Sequence, residues 1–416
     1  MVDLGGVGLA LPEILLPARG VDLTRWCVVA CDQYTSEPEY WKAVEERVAD
    51  APSTLRLVLP EAWLGAGDES ARIGAIQREM SAYLARGVFA PPLRGFVVVD
   101  RATPHVRSRL GLLVALDLER YEWRPGRRAL ARATEATVED RLPPRMRVRD
   151  GAALELPHVL VLLDDPGKTV IEPAARAAQS APPLYDTPLE PHAGRVRGFA
   201  LAGEPEIAAV ARALAKLAKP DAPFLYAVGD GNHSLAAAKE IWERAKPALS
   251  DAARAADPRR FALVELVNVH DPGLRFEPIH RLVFGASPTR LVSELTGFAP
   301  SGPKRHAFRW LGGGASGELA LFGAADSLAV AVLQTALDAW LAAHPEARID
   351  YIHGNDTLAQ LAAKSDRTGF ALPAFERGAL FPTVARDGAL PRKTFSLGEA
   401  EEKRFYLEAR RIRPAP

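Results

Sequence analysis

Short apolar runs separated by polar, glycine-bearing turns set the pattern of this chain. The runs Phe96–Val99, Leu110–Leu118, His158–Leu163, Phe224–Val228, Phe261–Val269 and Ile349–Ile352 predict strands. Several are almost unbroken Val/Leu, which is expected of strands buried on both faces. Arg404–Ala409 alternates instead, with Phe405, Leu407 and Ala409 on one face, and predicts an edge or half-exposed strand.

Helical periodicity predicts a helix to about Ala49, opened by Ser36-Glu37-Pro38-Glu39 as a capping box with proline in its first turn. Further helices are expected over Glu69–Leu84, Glu204–Lys219, Leu235–Ala245, Ser327–Ala343 and Thr357–Lys364. Gly302–Gly317, with its Gly312-Gly313-Gly314 run, reads as a loop or weak boundary. The order of elements predicts an α/β fold, with α+β as the alternative. A larger part should cover 1–290 and a smaller C-terminal α/β part 291–416.

Composition narrows the function. With 52 basic and 52 acidic side chains the formal charge is zero, which argues against a general nucleic-acid binder. No clear helix-turn-helix is visible either. Cys27 and Cys31 are the only cysteines, too few for a disulfide scaffold or a cysteine zinc site. No apolar stretch approaches the roughly 18 residues needed to cross a bilayer, and no secretion signal is evident. A cytoplasmic protein without membrane partners is expected.

The sharpest local motif is Gly229-Asp230-Gly231-Asn232-His233-Ser234, between the run Phe224–Val228 and the helix whose Leu235, Ala238, Ile241, Trp242 and Ala245 share a face. A turn feeding a helix N-terminus offers free N–H groups and the positive end of the helix dipole, a ready anion site. The plainer reading is a capped connection whose Asn232 or Ser234 satisfies backbone amides. It is not a dinucleotide fingerprint, for the third glycine is missing. Gly167-Lys168-Thr169 is not a phosphate loop, since Leu162 stands where the first glycine should be.

Other chemistry is spread along the chain. Asp32 follows the apolar Cys27–Ala30 and could act as a metal ligand or general base, or merely start a turn. Cys31 reads as a nucleophile or a small buried thiol. Arginines crowd 124–149 around Thr134-Glu135, and Pro391-Arg392-Lys393-Thr394 offers adjacent cations; both suit phosphate or carboxylate recognition. His270 and His353 follow apolar strands without the spacing of a helical zinc motif.

Together these phrases resemble a family known only as a domain of unknown function, numbered one thousand and fifteen. The resemblance rests on Ala30–Trp41, Ala133-Thr134-Glu135 with Asp140-Arg141, Gly229–Ser234, Asn268–Asp271 and Pro391-Arg392-Lys393. More distantly, Asp230–Ser234 resembles the Asp-Gly-His-His-Arg turn of the ParB-like and sulfiredoxin-like superfamily, which includes free-serine kinases. That resemblance implies a ParB/sulfiredoxin-like core with large insertions. It implies that Gly231, Asn232, His233 and Ser234 cradle a phosphate while Asp230 braces the turn. Asn232 and Ser234 depart from that motif, so Arg132 or Lys393 would have to supply the missing cation. The base has no motif match; Asp32 or Glu135 is expected in that role.

The expectation is thus a phosphotransferase acting on a small hydroxy compound such as serine, with ATP, ADP or pyrophosphate as donor and Mg²⁺ near Asp32. A phosphoserine-type phosphatase and a non-catalytic nucleotide-binding regulator are the alternatives. Oligomeric state is not legible.

Overall fold

The computed structural model describes residues 2–124, 126–218 and 224–413. The chain divides into two compact units, Met1–Leu274 with Gly398–Pro416, and Arg275–Leu397. The expected cut at residue 290 falls inside the second unit, in helix Pro288–Leu295, and the last segment of the chain belongs to the first.

The first unit is built on a large mixed sheet. Its strands run in the order Tyr185–Leu189, Gly194–Leu201, Phe96–Ala102, Leu110–Asp117, Phe261–Asn268, Leu160–Leu163, Tyr226–Asp230, Ala131–Ala133 and Tyr121–Glu122. The predicted apolar runs supply its centre. Alternate residues feed two cores. Val98, Leu112, Val161, Val228 and Leu266 face Ile171, Val210 and Trp242, whereas Val97, Val99, Leu113 and Leu263 face Trp26, Ile73 and Met80. Both faces are covered, which is why the runs are unbroken rather than alternating. The architecture is mixed α/β.

The second unit is an antiparallel sheet in the order Ala315–Gly323, Lys304–Gly312, Arg367–Ala371, Phe276–Phe284 and Arg348–His353. Helices Ala329–Ala343 and Pro288–Leu295 bury Leu333, Leu337, Trp340 and Leu291 against Phe308 and Phe370.

Four local expectations differ from the structure. Gly302–Gly317 is no boundary: Lys304–Gly312 pairs with Ala315–Gly323 through Gly313-Gly314, both at positive φ (56° and 80°). That is the geometry a two-residue hairpin turn requires, and glycine supplies it. Ser36 does not cap the helix Pro38–Val48; Glu37 is its N-cap, without a side-chain hydrogen bond. The helix Glu204–Leu217 ends before Lys219, which lies outside the described residues.

The last segment is not an edge strand. Phe405–Tyr406 pairs with Val28–Val29 and Arg410–Arg411 with Leu154–Glu155, and Arg404, Tyr406 and Glu408 are as buried as Phe405 and Leu407. Its charges are internal because they pair internally. Arg404 reaches Glu265 and Glu408, Tyr185 donates to Glu408, and Arg410 binds Glu155.

Candidate functional site

Strand Tyr226–Asp230 lies inside the sheet, antiparallel to Leu160–Leu163 and parallel to Ala131–Ala133. Gly231 follows at φ 79° and serves as N-cap of helix Asn232–Ala245. A Cβ there would stand 2.9 Å from Val159 Cγ2 and 3.0 Å from its Cα, so glycine is needed for both conformation and space. The helix begins three residues earlier than the apolar pattern predicts, because polar Asn232, His233 and Ser234 form its first turn. The Leu235 amide closes that turn on the Gly231 carbonyl at 3.1 Å. Gly231 has no side chain of its own with which to cap this end. The amides of the first three helical residues therefore have no intrahelical acceptor. Behind them Leu235, Ala238 and Trp242 are buried as the periodicity predicts.

Two other parts of the chain meet this turn. The pairing of Leu160 with Asp230 brings His158 alongside, and its Nε2 is 2.9 Å from Ser234 Oγ. The C-terminal segment supplies Tyr406, whose hydroxyl is 3.0 Å from His158 Nδ1. The same hydroxyl donates to Cys31 Sγ at 3.1 Å and accepts from the Cys31 amide at 3.2 Å. Lys403 Nζ binds Asp230 Oδ2 at 3.0 Å, while Asp230 Oδ1 accepts from the Gly231 amide at 3.0 Å. Asp230 thus braces the turn on one side and fixes an ammonium on the other.

Electrostatics assign states to these groups. Burial pushes the His158 imidazole below its ordinary value; the carboxylates of Asp32 and Asp230 oppose that only in part. Burial works against ionisation of Asp32, but His158, the Gln33 amide at 3.0 Å and Lys403 hold its carboxyl below the usual range. Burial raises the Cys31 thiol far above its normal range, which favours the protonated thiol over the nucleophilic thiolate.

The remaining expected residues are placed as follows. His233 is half-buried, and its Nε2 accepts from the Val138 amide at 3.2 Å, which puts the neutral ring's proton on Nδ1. Asn232 Oδ1 is buried without a hydrogen-bond partner. Glu135 lies just past strand Ala131–Ala133, which leaves the sheet on the same edge as the turn; Thr134 Oγ1 bonds the Val228 carbonyl at 2.6 Å. Arg132 sits mid-strand opposite Ala227 with its guanidinium over Phe224 (4.5 Å), toward the other end of the strand that carries Asp230. Lys393 belongs to the second unit, where its carbonyl accepts from buried Arg281 at 3.0 Å.

Arg145, from helix Leu142–Asp150 and paired with Glu61, comes near the turn. These two, with His158, Ser234 and Tyr406, line one side of a cavity of about 140 Å³ whose other walls are mostly apolar, among them Leu59, Leu64, Val148 and Leu156. Among the described residues no group of three or more His, Cys, Asp or Glu is arranged to hold a metal ion. No helix among them is long and apolar enough to cross a membrane.

His158, Lys403 and Tyr406 were not legible as site residues. The nearest signal was Tyr406 on the polar face of an alternating segment, read as solvent-facing. The Asp230–Lys403 contact spans 173 positions and leaves no local trace.

The chain belongs to the family described as "Protein of unknown function (DUF1015)", whose model matches residues 15–340. No curated protein matches it. Among solved structures it is similar to a free serine kinase in complex with AMP, at 9% identity over 73% of this chain and 92% of that one, TM-score 0.38. It is also similar to a conserved hypothetical protein from Pyrococcus furiosus (11%, 71% and 90%, TM-score 0.32). A third likeness is SbnI with a C-terminal truncation from Staphylococcus aureus (10%, 71% and 82%, TM-score 0.36).

Proposed function

We propose that the protein is a phosphotransferase that holds phosphate groups at the Gly231–Ser234 turn and acts on a small hydroxy compound such as serine. The observation that carries this reading is a helix start at Gly231 with Lys403, His158 and Ser234 gathered around it. Phosphoryl transfer asks a protein mainly for positioning and charge stabilisation, and both are supplied by amides, dipole and ammonium. The amides of Asn232, His233 and Ser234 grip phosphate oxygens, with the His233 imidazole beside them. Lys403, held by Asp230, is the cation of this turn, the role expected of Arg132 or Lys393. Asp32, ionised beside His158, accepts the hydroxyl proton; Glu135 is the alternative base.

Mg²⁺ typically takes one or two carboxylates and completes its shell with phosphate oxygens and water. Asp32 supplies one such oxygen donor, so Mg²⁺ would arrive with the donor's phosphates, where it neutralises their charge. ATP, ADP and pyrophosphate are the donors to test.

The test incubates the full chain with labelled ATP, ADP or pyrophosphate plus serine, and with phosphoserine alone. Transfer to serine is expected; hydrolysis of phosphoserine alone would make water the acceptor. His233→Ala should lower turnover by about tenfold or more while leaving the thermal midpoint nearly unchanged. No turnover and no nucleotide binding would refute the reading.

A further inference from the structure

The hydrogen-bond chain Ser234–His158–Tyr406–Cys31 admits a consistent proton assignment when it is followed from its Cys31 end. A phenol hydroxyl has one proton, and Tyr406 gives it to Cys31 Sγ at 3.1 Å while accepting from the Cys31 amide at 3.2 Å. Its remaining lone pair faces His158 Nδ1 at 3.0 Å, so Nδ1 carries the ring proton. Nε2 is then unprotonated and accepts from Ser234 Oγ at 2.9 Å. Hydroxyl, neutral imidazole and an orienting third group are the parts of an activated nucleophile. Ser234 is also the third residue of its helix, and helical Cα–Cβ bonds tilt toward the N-terminus. Its Oγ therefore leans toward the amides of the first turn rather than away from them.

We propose that Ser234 receives the phosphoryl group first, so that the reaction proceeds through a phosphoserine on the protein itself. The inference rests on the phosphate reading above and specifies how that site works. In the first half, Ser234 Oγ bonds to the terminal phosphorus of a nucleoside triphosphate and its proton passes to His158 Nε2. The bridging P–O bond breaks and nucleoside diphosphate leaves. In the second half, the acceptor hydroxyl attacks the same phosphorus and its proton passes to Asp32. The Oγ–P bond breaks, and His158 returns its proton to Oγ. Asp32 then releases one proton to solvent, so the balance is triphosphate plus alcohol to diphosphate plus phosphoester plus H⁺. A cavity with largely apolar walls opens on Ser234 and His158. Tyr406 is a positioning residue: it fixes the imidazole tautomer.

The experiment incubates the full chain with Mg²⁺ and ATP labelled at the γ-phosphate, without acceptor, then quenches in acid and maps the labelled peptide. Label on Ser234, discharged when serine is added, is the expected result. Ser234→Ala should remove both label and transfer. His158→Gln should slow labelling by about a hundredfold or more with an unchanged thermal midpoint, which keeps the test informative if Ser234→Ala folds poorly. Transfer to serine with no labelled protein at any time, or with label on another residue, overturns the inference and leaves the phosphotransferase reading standing. Absence of label and turnover with ATP, together with no turnover and no binding with ATP, ADP or pyrophosphate, overturns both.

Discussion

Arg404 offers the most quantitative test of how the C-terminal segment is held at the site. Its side chain is 5% exposed, and those of its partners Glu265 and Glu408 are 1% exposed. Its Nε also bonds the Pro157 carbonyl at 2.8 Å, one residue before His158. Burial works against the guanidinium charge, and the two carboxylates outweigh it and keep the group protonated. Arg404→Leu deletes the cation and leaves both carboxylates enclosed, with Glu265 Oε1 already without a hydrogen bond.

Breaking a buried pair from one side typically costs about 3–5 kcal/mol, because the orphaned charge remains out of water. With a urea m-value of about 3 kcal/mol/M, the unfolding midpoint should fall by about 1–1.7 M. The cost should be local first. Trp26 Nε1 donates to the Leu407 carbonyl at 2.9 Å, and Tyr406 and Lys403 flank the mutated position. Hydrogen exchange should therefore speed up over 398–413 before it does in strand Leu110–Asp117. Adding Glu265→Leu removes one orphan and should recover stability, with a coupling of about 1–3 kcal/mol. A single-variant cost below about 1 kcal/mol, or strict additivity in the double variant, would show that water reaches these charges and that they do not anchor the segment.

Gly231→Ala places a Cβ 2.9 Å from Val159 and forces alanine to φ 79°; a stability loss of about 1–3 kcal/mol should accompany at least tenfold weaker ATP binding by calorimetry, and intact binding would remove the turn from the site. The His158 ring, faced by Asp32, Asp230, Arg145, Arg404, Tyr406 and Ser234, is held below 6.5 in the fold. The unfolded chain therefore takes up its proton first, and stability should drop as pH falls through about 6.5 and level off below the native value. Urea midpoints at a series of pH values should show this drop in the parent and a shallower one in His158→Gln; identical profiles would refute the assignment.

The difference between what the chain shows locally and what it hides follows from the kind of interaction involved. Strands such as Phe96–Ala102 and Phe261–Asn268 were legible because burial on two faces leaves a run of Val and Leu that needs no knowledge of partners. The Gly229–Ser234 turn was legible because a glycine at positive φ between a strand and a helix is a local requirement. Arg404, Tyr406 and Glu408 failed the same test. A charge is written in the sequence as polar whether it meets water or meets Glu265, and only the fold decides which. The glycines at 312–314 misled in the opposite direction, since a tight hairpin and a slack linker both ask for glycine. The site inherits both situations. The helix start declares itself in six consecutive residues, whereas the groups that meet it, His158 and Lys403, come from 76 and 173 positions away along the chain, and Tyr406 arrives with Lys403. Their arrival depends on the antiparallel register at Leu160 and on the docking of residues 404–406 beside Val28–Val29. The geometry of this turn is therefore tied to the integrity of the C-terminal segment, although that segment contains nothing that resembles a catalytic motif.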